Sequence, residues 1–204
     1  MSAVLTAPFP PTTIIPQRLS PRRPLTCADV AALPESLPSG DVRYELDNGE
    51  LIVMPPPGDM HGAIQLNLGT ELKLQGERRG LGKARSEVGV ILWRDPDRLV
   101  GADAAFIAQK SLPLKVSSEG YLETIPDLVV EVRSKNDTLE ELENKVRDYL
   151  TAGVRVVWVV DAVSRTVTAS RPGAPPRVWT DDETLTVEDI IPGFRVDIAD
   201  LLRT

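Results

Sequence analysis

Pro126-Asp127-Leu128-Val129-Val130-Glu131-Val132-Arg133-Ser134, then Thr138-Leu139-Glu140-Glu141, then Gly153-Val154-Arg155-Val156-Val157-Trp158-Val159-Val160, is the stretch that decides the fold. The first run is apolar at nearly every position from Leu128 to Val132, the pattern of a strand buried on both faces. Thr138 with Glu141 three residues on reads as a capping box. It opens a helix that carries Leu139, Leu142, Val146, Tyr149 and Leu150 on one side and closes at Gly153. Val154 to Val160 is a second buried strand. Strand, helix and strand in that order predict a parallel pair joined by a right-handed crossover.

Outward from this unit the sequence alternates further. Residues 1–24 hold six prolines and no acidic residue, which predicts an extended, poorly ordered tail before a single domain over 25–204. The tail arginines Arg18, Arg22 and Arg23 could touch a phosphate backbone, or simply be solvated. Thr26 caps a short expected helix over 28–33 that Pro34 ends. Arg43 to Met54 reads as two strands around Asn48-Gly49, a strong hairpin signal because both turn residues tolerate positive φ. A helix is expected from His61 to Arg79, with Ile64, Leu68 and Leu72 on one stripe. Strands are expected over 87–93 and 102–108, with a loop over 109–126. A hairpin is expected at 166–171 and 177–180, with short elements around 187–190 and 198–202. The whole predicts an α/β (α+β) protein.

Composition narrows the function classes. With one cysteine, Cys27, no internal disulfide can form, which suits a reducing cytoplasm, and Cys/His zinc sites are excluded by count. No apolar run reaches membrane-spanning length, so no membrane partner is expected. A net charge of −7 argues against coating nucleic acid by charge alone. The densest basic cluster after the tail, Arg78, Arg79, Lys83 and Arg85, reads as cations complementing a helix C-terminus, with a phosphate patch as the alternative.

Three positions carry chemistry. Glu131 lies inside an apolar strand, where a carboxylate costs several kcal/mol unless paired or bound to metal; the alternative is an exposed strand end or a pair with Arg133. Asp103 stands in a run of small apolar residues and gains weight from Glu131 on what could be an adjacent strand. Lys145, at the edge of the apolar face of the following helix, could snorkel to solvent or project over the sheet end towards Glu131. Two carboxylates suit Mg²⁺ or Mn²⁺, hard ions that take oxygen ligands, and a lysine beside them would orient water or stabilise a phosphoryl transition state. His61 is the only histidine. It reads as a first-turn structural residue, with proton transfer or phosphate contact as the alternative. No P-loop, GxGxxG or Ser/His/Asp pattern competes.

The ordered series Arg43-Tyr44-Glu45-Leu46, Gly49-Glu50-Leu51, His61, Asp103, Pro126 to Ser134, Lys145 to Val154 and Val157 to Asp161 resembles the Uma-two family of restriction endonucleases, within the PD-(D/E)XK superfamily. The resemblance covers residues 26–202. It implies a restriction-endonuclease-like mixed sheet flanked by helices, with an N-terminal hairpin. It implies a Mg²⁺-dependent site in which Asp103 and Glu131 are the metal carboxylates, Glu45 adds a ligand or activates water, Lys145 supplies the lysine, and Arg133 contacts phosphate. It departs from the superfamily pattern at Ala102, where Pro is usual, and at Arg133, where Lys is usual. Arginine cannot serve as a base near neutral pH. The implied activity is DNA cleavage by a homodimer. RNA is the competing substrate, and a catalytically silent binding module is the competing function.

Overall fold

The computed structural model describes residues 18–19, 23–38 and 40–203. The expected tail therefore lies mostly outside the described residues. What is described of it is a two-residue strand, β1 (Arg18–Leu19), and residues 23–24, where Arg23 pairs with Asp29 at 2.8 Å; helix α1 (Cys27–Ala31) follows. Thr26 and Asp29 form a capping box at the start of α1. Two short strands, β2 (Ser36–Leu37) and β3 (Gly40–Asp41), lead into the hairpin β4 (Arg43–Asp47) and β5 (Glu50–Met54). Its turn holds Asn48 at φ 51° and Gly49 at φ 83°, the two left-handed residues that the Asn-Gly pair predicts.

Helix α2 (Asp59–Glu71) begins two residues before the expected start and continues as a π turn, Leu72–Gly76, and a 3-10 turn, Glu77–Arg79. The π turn brings Gly76 against the Phe106 ring so closely that a Cβ there would lie 2.4 Å from it. Strand β6 (Gly82–Trp93) begins before the expected Glu87, with Gly82 to Ser86 paired to β7 (Arg98–Ala108), which itself begins at Arg98 rather than Ala102. Strand β8 (Leu128–Val132), helix α3 (Leu139–Ala152) and strand β9 (Val156–Asp161) form the expected unit, with β8 and β9 parallel. Thr138 and Glu141 make the capping box, and Gly153 at φ 108° ends the helix.

The hairpin β10 (Thr166–Arg171) and β11 (Ala174–Trp179) follows, then β12 (Thr184–Thr186), β13 (Arg195–Asp197) and helix α4 (Ile198–Leu201). Residues 187–190, expected to form a short element, are turn instead. Ile190 and Ile191 there are buried and donate to Val187 O.

Among the described residues nine strands form one sheet in the order β1-β5-β4-β7-β8-β9-β10-β11, with β6 on β7, antiparallel except for β8–β9. Helices cover both faces. Ile64 and Leu68 of α2, Leu72 of the π turn, and Ile198 and Leu201 of α4 pack with Leu128, Val130 and Val132. Tyr149 of α3 packs on the other face with Val129 and Val157. This alternation along β8 sends Glu131 to the α3 face. Among the described residues no helix is long and apolar enough to cross a membrane.

Candidate active site

The site begins where two strands part. β7 and β8 pair through Phe106–Leu128, Ala105–Val129 and Ala104–Val130, and the ladder stops one step short of Asp103 and Glu131. The next amide, Val132 N–H, donates at 2.7 Å to the Asp103 carboxylate instead of to a backbone carbonyl. The β6–β7 ladder skips the same position, passing from Ser86–Ala104 to Val88–Ala102. Glu87, between them, has a φ of 52°. Irregular backbone on both flanks thus gives Asp103 its place in the sheet.

Glu131 is 5% exposed and Asp103 6%, so both need partners. Glu131 Oε2 accepts from Lys145 Nζ at 2.9 Å and Oε1 from the Tyr149 hydroxyl at 2.6 Å. The pairing of Glu131 with Arg133 does not occur; Arg133 donates to Asp161 at 2.7 Å. Lys145 also donates to Glu45 Oε1 at 2.9 Å and to Gly101 O at 3.1 Å. Gly101 N–H in turn donates to Glu45 Oε1 at 2.9 Å, which closes a ring of three hydrogen bonds. All three ammonium protons therefore have acceptors. Arg98 stands behind this ring, 3.9 Å from Glu45 and bonded to Leu46 O and Asp148. His61, in the first turn of α2, places Nε2 3.2 Å from Asp103 Oδ2, while its Nδ1 is buried without a partner among the described residues.

The charges hold one another. Burial pushes the Glu131 carboxyl up to about 7, with Lys145 pulling it down and Asp103 and Glu45 adding to the rise. Burial alone would lower Lys145, but Glu131, Glu45 and Asp103 outweigh it and keep the ammonium charged well above its ordinary range. Burial opposes ionisation of Asp103, yet His61 and Lys145 bring it below the usual carboxylate range. His61 is raised in return: burial disfavours its charge and Asp103 restores it. Asp137, whose carboxylate accepts from Ser134 N–H, is raised by burial.

Of the residues singled out from sequence, Asp103, Glu131, Lys145, Glu45 and His61 come together; Arg133 stays apart with Asp161. Sequence reading missed Tyr149, Arg98 and Asp137. Tyr149 lies four residues after Lys145 on one helix face, a spacing that could have linked it to the lysine. Arg98 and Asp137 carry no such signal. Among the described residues no three His, Cys, Asp or Glu side chains are arranged to close around a metal. The residues present, the buried carboxylates Asp103 and Glu131, fit a hard divalent ion such as Mg²⁺, which takes one or two carboxylates and fills its other positions with water and phosphate oxygens. Asp103, Glu131 and Glu45 are buried oxygen donors grouped around Lys145, the ligand type such an ion takes.

A mixed sheet that opens at two acids, with helices on both faces and a buried lysine across the gap, defines a restriction-endonuclease-like fold. The family model described as "Uma2: Putative restriction endonuclease" matches residues 29–199, and the chain belongs to that family. Among solved structures it is similar to the crystal structure of a "putative nuclease belonging to DUF820" from Anabaena variabilis ATCC 29413. The TM-score is 0.71, with 21% identity over 88% of this chain and 98% of that one, a likeness of fold. No curated protein matches the chain.

Proposed function

We propose that this protein is a divalent-metal-dependent nuclease that hydrolyses phosphodiester bonds in DNA. The observation that carries the reading is the pair Asp103 and Glu131, successive in register where β7 and β8 separate, with Lys145 bonded to Glu131. Asp103 and Glu131 would hold Mg²⁺ or Mn²⁺, which supplies Lewis acidity to a phosphate and lowers the pKa of water. The chain's own groups do the rest. Lys145 keeps a fixed positive charge beside Glu131, suited to a pentavalent phosphate. Glu45 and Gly101 O aim that ammonium. His61 holds Asp103 from its far side, and Arg133, with guanidinium donors beyond the one given to Asp161, contacts phosphate. The catalytic unit is the domain over 25–204, acting as a homodimer on duplex DNA.

One observation favours a second reading, a silent nuclease-fold binding module: Lys145 already spends its three donors inside the protein. Calorimetric titration of Mg²⁺ and Mn²⁺ into the wild type and an Asp103→Ala/Glu131→Ala variant separates the two. Saturable binding that the variant loses, with cleavage of duplex DNA, supports the nuclease. Absence of binding up to millimolar metal, with and without DNA, supports the module. The same cleavage assay on single-stranded DNA and RNA assigns the substrate.

A further inference from the structure

We infer that Tyr149 is a positioning residue for Glu131: its hydroxyl fixes which carboxylate oxygen faces Lys145 and which way the carboxylate plane lies. The inference rests on the nuclease reading above. Tyr149 is fully buried. Its hydroxyl makes one hydrogen bond among the described residues, to Glu131 Oε1 at 2.6 Å. Lys145, one turn earlier on α3, takes the other oxygen at 2.9 Å. Two donors on one helix face thus divide the two oxygens between them.

This matters because the terminal torsion of a glutamate is broad and roughly two-fold. Lys145, its ammonium aimed by Glu45 and Gly101 O, meets only one of the two oxygens, and a single donor leaves the carboxylate plane free to turn about that bond. Tyr149 fixes the plane, because its ring is fully buried. It is packed with Val129, Val154 and Val157, and α3 itself is fixed at one end by the Thr138 capping box and at the other by Gly153. Each Glu131 oxygen keeps one lone-pair direction after these bonds, so the pair of donors sets where a metal could be met. Groups that orient a metal ligand typically change affinity or activity by 10–100-fold when removed. The simpler explanation is that a buried hydroxyl needs an acceptor and Glu131 supplies one.

Tyr149→Phe separates the two, because it keeps the ring and its packing and removes one oxygen. Mn²⁺ is titrated calorimetrically into wild type, Y149F and Glu131→Ala without DNA, and kcat and KM on a duplex are measured beside thermal midpoints. Positioning predicts Mn²⁺ affinity weaker by about 10–100-fold in Y149F, a comparable fall in kcat, and an unchanged KM. Equal affinity and equal kcat with only a lower midpoint would overturn the inference, as would a change confined to KM. Failure of the wild type itself to bind Mn²⁺, in a parallel titration with duplex DNA as well as without it, would remove the proposed function and this role together. Retention of wild-type affinity by Y149F removes the role alone.

Discussion

Lys145 carries a charge that Glu45, Gly101 and Glu131 share, and its removal would leave two buried carboxylates facing each other. Breaking a buried pair from one side costs about 3–5 kcal/mol, so Lys145→Met should lower stability by roughly that amount in urea unfolding at neutral pH. Mn²⁺ should raise the thermal midpoint of Lys145→Met more than that of wild type, since the ion would replace the missing cation. An equal rise in both would place the ion away from Glu131. The sequence disclosed this centre as far as isolated side chains can. Glu131 and Asp103 stood out because a charge in an apolar run demands an explanation. Tyr149 did not, because an aromatic on an apolar helix face is explained by the core alone. Arg98 was illegible for another reason: its partners Leu46 and Asp148 lie 52 and 50 residues away in the chain, and nothing local reports such pairings.

The elements that carry these side chains were legible where local chemistry governs them. The Thr138–Glu141 box and Gly153 delimit α3 from sequence, and Thr138→Ala should cost about 1 kcal/mol, the usual worth of an N-cap, in equilibrium unfolding. Elements shaped by distant contacts were not legible. The π turn over Leu72–Gly76 answers to the Phe106 ring, which lies on another strand. A methyl at position 76 would force that ring or the helix aside, so Gly76→Ala should destabilise by about 1–3 kcal/mol, the common cost of overpacking. A neutral result would mean that the turn relaxes to α geometry when filled. The early start of β6 escaped for a similar reason. Lys83 to Ser86 precede the expected strand, and Lys83 and Arg85 read as cations beyond a helix, yet all four pair across with Ile107 to Ala104.

At the scale of the whole molecule, Asp127 joins elements that meet only in the fold. Its carboxylate accepts from Ala108 N–H at the end of β7 and from Ser111, and faces Arg155 and Lys110. Burial opposes its ionisation, but Ala108 N–H, Ser111, Arg155 and Lys110 bring it below its ordinary value of 3.8. A carboxyl lowered on folding stabilises fully above its unfolded pKa, and that stability is lost as pH falls through its folded pKa. Asp127→Asn should therefore be less stable than wild type at pH 7, and the gap should narrow below about pH 4, measured by urea midpoints across pH. The net charge of −7 has its own consequence. Duplex binding should be weak in chelator and strengthen by about 10-fold or more with millimolar Ca²⁺, read by fluorescence anisotropy, because phosphate neutralisation by this surface is poor.

The carboxylate that closes the gap between β7 and β8 also changes how one amide meets solvent. Most strand amides are shielded by backbone carbonyls, and their exchange with deuterium reports opening of the sheet. Val132 N–H is shielded by a side chain, Asp103. Its exchange should therefore follow a single residue: fast in Asp103→Ala, while Val129 and Val130 exchange as slowly as before. One amide proton would then serve as a gauge of Asp103 itself, readable without DNA, without metal and without turnover.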